Sequence, residues 1–378
     1  MVFSFIILGL VSLIGFNLSF FTPFNNAFKD FSYLDLYYAE KLDRNIGDIN
    51  KDIVLVNVER LGRAEIAAMM TKLERQKPKV IGLDIIFKEE RDPIEDRALA
   101  QSHRMENLVT TYSILNSGVD SSAASISRPD QISGYSNFSF DPTSSVVRNF
   151  QGYRKDGDSV QVAFGVAVAK FVMGEKWDGS LERYLDEERP INYKGNRDNF
   201  LILEPDDILG RDTIPVVMNK IVLMGYLGHQ ENHRFDIEDK HFTPMNEKFV
   251  GKSAPDTFGV VIHANIINMI VSDEFISVVP NWILVLLTIL FTFLALTYFI
   301  WLAKRQLASY ILRLNIVRLV FIAVFVWIAL LLFRNGILFK TAGIIAVAAF
   351  SIGLIGYYKK LAHFLYKKYK WNGYFYQD

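Results

Sequence analysis

Three apolar runs follow one another at the carboxyl end, at residues 282–303, 316–333 and 337–357, and they constrain the chain more than any other feature. A helix needs roughly 20 apolar residues to cross a hydrocarbon core of ~30 Å, so each run predicts one crossing. A fourth run, residues 2–21, is broken only by Ser, Asn17 and Gly. It reads as an uncleaved anchor rather than a signal peptide, because no basic segment precedes it and no small-x-small cleavage site stands before Asn25. The expected division is an anchor at 1–22, an extracytoplasmic domain at 23–280, three spanning helices at 281–358 and a basic aromatic tail at 359–378.

The charge is split along the same line. Residues 281–378 hold eleven Lys or Arg against the single acid Asp378, and the chain totals are 41 of each sign, which leaves 30 bases and 40 acids in the first 280 residues. The connection at 304–315 carries Lys304, Arg305 and Arg313, and the tail carries five lysines, whereas the connection between the last two runs is only Arg334-Asn335-Gly336. Basic short segments stay on the cytoplasmic side, so the acidic globule is expected outside it. A bacterial inner-membrane, multi-pass protein with a periplasmic or extracellular domain follows, and the absence of Cys fits a fold made without disulfides. Arg318 and Lys340 fall near predicted helix ends, where long side chains reach the interface, so neither suggests an ion path.

Within the outer part, residues 52–59 (DIVLVNVE), 79–87 (KVIGLDIIF) and 107–115 read as buried strands. Ile66, Met69, Met70 and Leu73 recur at helical spacing over 63–76, and an acidic helix is predicted over 93–105. Alternating strands and helices imply an α/β fold with a mixed, mostly parallel sheet covered by helices. Residues 116–132 read as a loop, 134–140 with 146–153 as an antiparallel hairpin, 160–173 as an apolar helix and 175–215 as an irregular insertion with short strands. Residues 219–227 (NKIVLMGYL) form a further strand and 258–270 a last helix, which Pro280 is expected to end, leaving a joint before the membrane.

The order of these segments resembles the type-two CHASE domain, an extracellular sensory domain found with cyclases and histidine kinases. The resemblance rests on Gly82-Leu83-Asp84-Ile85-Ile86-Phe87, on Phe242-Thr243-Pro244 and on Val261-Ile262-His263-Ala264-Asn265, ahead of a three-helix anchor. It covers roughly residues 30 to 280 and implies a sensor. Members of that family usually carry a kinase or cyclase after the last helix. Here only about 20 residues follow, so the expected output is a separate effector protein or a membrane-complex partner.

Ligands of an open parallel sheet bind beyond the carboxyl ends of its strands, which nominates Asn57, Glu59, Asp84, Tyr226 and His229. An acid inside an apolar strand is costly unless satisfied, so Asp84 either bonds backbone amides or an Arg, or faces a ligand. His229, His233, Asp236, Glu238, Asp239 and His241 crowd into one segment of metal-ligand types, which reads either as a solvated loop or as a divalent-metal site. His263, between Ile262 and Ala264, reads as a satisfied core histidine. No Cys nucleophile, G-x-S-x-G elbow or dinucleotide fingerprint is present. No cofactor and no enzymatic activity are expected. The tail alternates lysines with Tyr358, Leu361, Phe364, Leu365, Tyr369 and Trp371, which suits membrane lipid and disfavours nucleic acid, because the bases lie against the bilayer. The main expectation is a membrane signal-transduction protein that senses an envelope ligand, with homo-oligomers open. A structural or scaffold subunit is the alternative, and an extracytoplasmic metal-dependent hydrolase a third.

Overall fold

The structure, a computed structural model, describes residues 49–141, 145–157, 159–229, 236–246, 254–304 and 310–371. The run at 2–21 and His233 lie outside the described residues. Those described fall into two compact units, one ending at Ile276 and the other beginning at Ser277.

The first unit is built on β1 (Asn50–Asn57), β2 (Val80–Leu83) and β3 (Leu108–Leu115), with β4 (Gly118–Asp120) and β5 (Ser133–Tyr135) beside β3. Two short pairs follow: β6 (Ser139–Phe140) on β7 (Val147–Phe150), and β8 (Tyr153–Asp156) on β9 (Ser159–Val162). β10 (Arg189–Pro190) adds to β7, and β11 (Phe200–Leu203) and β12 (Ile221–Gly225) complete the main sheet, ordered β11-β1-β12-β2-β3-β4. β13 (Lys240–His241) and β14 (Thr257–Phe258) form a separate two-residue ladder. The β11, β1, β12, β2, β3 ladder is parallel throughout, and β4 runs antiparallel, so the sheet is mixed and mostly parallel.

Alternation along the strands explains the two layers. Val54, Val56, Val222 and Met224 face one side and pack against Ile66, Met69, Met70 and Leu73 of α1 (Arg63–Arg75) and Leu99 of α2 (Pro93–Ser102). Ile53, Leu55, Ile221 and Leu223 face the other and meet α3 (Phe164–Met173); α4 (Gly179–Leu185), α5 (Pro205–Leu209), whose Ile208 packs in the first layer, and α6 (Gly259–Val271) follow along the chain. Of these, α6 shares the second layer through Val260, Val261, Ala264 and Ile267. Because successive side chains point to opposite faces, an unbroken Val/Ile/Leu run is what a strand covered on both sides requires. Each such side chain contributes roughly 1.5–3 kcal/mol of burial. Gly134 lets β5 approach α3: a Cβ there would lie 2.6 Å from the backbone N of Phe164.

Several expected boundaries move. The second strand stops at Leu83, so Asp84 lies just beyond it, although its N–H still reaches Met224 O at 2.8 Å. Residues 159–162 are a strand and the helix starts at Phe164, since SVQV alternates instead of clustering its apolar side chains. One of the short strands expected in the irregular segment at 175–215 is β11, which joins the main sheet as an edge strand paired with β1. The loop expected at 116–132 contains β4. The hairpin arm at 134–140 splits, with β5 joining β3 and only β6 pairing with β7.

The second unit contains β15 (Ser277–Val278), α7 (Asn281–Lys304), α8 (Tyr310–Arg334), β16 (Ile337–Leu338), α9 (Ala342–Gly353) and α10 (Ile355–Tyr369). Two stretches are long and apolar enough to cross a membrane, Asn281–Leu302 and Asn315–Arg334; a third exists if α9 and α10, bent by 40°, count together. The expected continuous third helix over 337–357 is therefore broken at Leu354. The last outer helix ends at Val271, well short of Pro280. Pro280 instead starts α7, its carbonyl accepting from Ile283 N at 3.1 Å and Leu284 N at 3.2 Å. Its missing N–H is no loss there, since the first N–H groups of a helix have no intrahelical partner.

Candidate ligand cleft

The chain leaves β1 and β2 toward the α1/α2 face and leaves β12 toward the α6 face. Adjacent strands whose connections part to opposite faces open a crevice at their carboxyl ends. Here it is a cleft of about 630 Å³, walled by residues 58–63 after β1, residues 84–89 after β2, and Tyr226, Glu238 and Asp239 after β12.

The first wall is held by Asn57. Its amide donates to Glu204 Oε2 and Gly228 O, both at 2.7 Å, and its oxygen accepts from Leu227 N and Glu59 N, both at 3.0 Å. That set fills the side chain's hydrogen-bonding capacity, and Asn57 lies behind the cleft rather than in it. Glu59 follows in a left-handed turn with φ of 43°, a strained conformation of the kind that gathers at binding sites. Arg63, at the start of α1, is buried between Asp96 and Glu89 O, the latter 2.5 Å away. Asp96 is held below the usual carboxylate range by the Arg91 backbone amide and then by Arg63.

Asp84 forms the floor. Its side chain is 13% exposed, and among the described residues its carboxyl has no hydrogen bond; its near neighbour is His263 Nε2, 3.9 Å from Oδ2. Burial, followed by the charge of Asp239, raises Asp84 to about 8. His263 lies between Phe138 and Phe164, with ring centroids 4.7 and 5.1 Å away, and among the described residues neither of its ring nitrogens has a hydrogen-bond partner. Burial, followed by the proximity of His241, drops it to about 3. At neutral pH both groups are therefore uncharged: the carboxyl can donate a hydrogen bond, and the imidazole can donate one and accept one.

The third wall is acidic. Tyr226 donates its hydroxyl to the Asp236 carboxylate, and burial, followed by that hydrogen bond, pushes the phenol up to about 12. Glu238 pairs with Arg60 at 2.6 Å in an exposed bridge of little energetic weight. Asp239, at a φ of 54°, packs its carboxylate against Gly259, where a Cβ would come within 3.1 Å. That glycine lets an anion reach the amino end of α6, the favourable end of the helix dipole. His241 is 3.8 Å from Asp239.

The cleft thus brings together Glu59, Asp84, Tyr226, Glu238 and Asp239, with Asp236 and His241 just behind. His229 is exposed and does not line it. Among the described residues no three His, Asp or Glu side chains gather as a metal-holding group. His263 departs from the satisfied core histidine expected of it: Ile262 and Ala264 signal burial correctly, but sequence gives no sign that its nitrogens stay unpaired beside Asp84.

A family model, that of the CHASE2 domain, matches residues 12–298, more than half of the chain. No curated protein and no solved structure matches significantly. The matched region holds every strand and helix that walls the cleft, and the chain belongs to the CHASE2 family of sensory domains.

Proposed function

We propose that this chain is a non-enzymatic signal-transduction protein of a bacterial inner membrane, whose outer domain senses an envelope ligand in the Asp84 cleft and relays occupancy to a separate effector. One observation carries the sensing half: among the described residues the Asp84 carboxyl, at the floor of an open cleft and at the strand ends where α/β sheets bind ligands, has no hydrogen bond, and neither has the buried His263 behind it. Leaving buried polar groups unpaired costs stability, and a ligand or its bound water that satisfies them recovers that cost. The family match supports sensing, and α7 and α8 support membrane residence by length and apolarity. The eleven-to-one excess of bases in 281–378 supports placing the tail inside the cell and the first unit outside.

Thermal melting of the purified full chain against a panel of small polar compounds tests the sensing reading. At least one chemical class should raise the midpoint of the wild type, and Asp84→Asn should weaken that rise. A panel with no effect on the wild type, or a shift indifferent to Asp84→Asn, counts against it. Location has its own readout, because the chain has no Cys. A single Cys placed at exposed Ser180 should react with a membrane-impermeant thiol reagent on intact spheroplasts; protection there contradicts the orientation.

A further inference from the structure

At Leu354 the character of the chain changes. α9 is apolar, whereas α10, bent from it by 40°, interleaves lysines with aromatic and aliphatic side chains. Tyr357, Leu361 and Phe364 recur at three-to-four spacing along the helix, and Lys360, Lys367 and Lys368 flank them. Residues 355–371 contain five lysines and no acid. Tyr357, Phe364, Tyr369 and Trp371 are each more than half exposed. The lysines lean over rings of the same helix: Lys360 over Tyr357 at 5.9 Å, Lys368 over Phe364 at 5.6 Å and Lys370 over Tyr366 at 5.7 Å. Aromatic bodies with ammonium groups at their rim match the depth profile of a bilayer surface, with acyl chains below and phosphates above. A protein partner would need acids to meet the same lysines without a hydrocarbon boundary to receive four aromatic rings.

We infer that Ile355–Tyr369 docks on an anionic lipid surface, its Tyr357, Leu361 and Phe364 side chains at the acyl boundary and the flanking lysines on the headgroup phosphates. The inference rests on the membrane reading of α7 and α8 and goes beyond the sensing role.

The test uses the full chain in nanodiscs of phosphatidylcholine alone or mixed with phosphatidylglycerol. A nitroxide on Leu361→Cys, the sole cysteine in the chain, reports exposure to oxygen and to a water-soluble nickel chelate. The label should move from water into the acyl boundary when phosphatidylglycerol is present. Each lysine contributes on the order of a fivefold gain in the docked population, so Lys359→Gln, Lys360→Gln and Lys367→Gln together should lower it on the order of a hundredfold. Arginine at the same three positions should restore docking. A label equally wet, or equally dry, in both lipids overturns the inference, as does drying that appears only when cytoplasmic protein is added. The unsubstituted lysine helix in the two lipids decides the matter even if the Gln variant fails to fold. A chain that does not enter the disc at all refutes the membrane reading as well, so the two failures are distinguishable.

Discussion

Asp84 Oδ2 and His263 Nε2 face each other across 3.9 Å, too far for a hydrogen bond and too buried for either group to be charged at neutral pH. This relationship makes stability respond to pH in a definable way. The unfolded chain releases the Asp84 proton near 3.8 and the folded chain near 8, so between those values the native state holds the extra proton and stability falls as pH rises. His263 acts oppositely between about 3 and 6.5, where the unfolded state holds the extra proton. Asp256, raised to about 7 by burial, adds to the Asp84 trend below that value. Above pH 7, Asp84 alone remains of the three, and stability should drop by about 1 kcal/mol between pH 7 and 8. Melting of the full chain across that interval measures it, and Asp84→Asn should flatten the curve; a wild-type curve already flat would show that Asp84 is not protonated.

Asn57→Ala should destabilise the outer unit by about 3 kcal/mol, because two N–H groups and a carbonyl lose their buried partner at once. Denaturant unfolding provides the number. A cost within a few tenths of a kcal/mol would mean that water replaces the side chain.

Gly134→Ala forces a methyl group against the Phe164 backbone, which cannot swing aside as a side-chain tip can. A loss of about 1–3 kcal/mol is expected. Gly179→Ala, in open space at the start of α4, should be neutral or gain up to ~1 kcal/mol. Melting temperatures moving in the same direction and by the same amount would contradict the packing of β5 on α3.

The strand pair β15–β16 is parallel, with Ser277 opposite Ile337, and is fixed by Ser277 N on Gly336 O at 2.8 Å and Val279 N on Leu338 O at 3.0 Å. In a chain without native Cys, Ser277→Cys with Ile337→Cys should form a disulfide readily on mild oxidation, since facing residues of paired strands lie within bridging reach. Pro280→Ala should leave that yield unchanged, because alanine keeps the carbonyl that starts α7. An inefficient cross-link would remove the ribbon.

Much of the sheet was legible because its strands are unbroken apolar runs: residues 53–56 and 221–224 can only be covered on both faces, and α1 shows its stripe in Ile66, Met69, Met70 and Leu73. β11 was not legible, as FLIL is too short to distinguish from a helical turn and its partner lies far away in sequence. The break at Leu354 has no Pro to announce it and follows from tertiary packing and the onset of lysines. For the cleft, strand ends pointed to Glu59, Asp84 and Tyr226. His263 was hidden because the apolar neighbours that bury it say nothing about what its nitrogens meet.

The β15–β16 ribbon also bears on how force would travel. A segment entering a membrane helix through a free linker delivers its pull to that helix alone. Here a tug on residue 277 acts on the α8–α9 turn as well as on α7, because the backbone hydrogen bonds of the ribbon tie that turn to the residues that lead into α7.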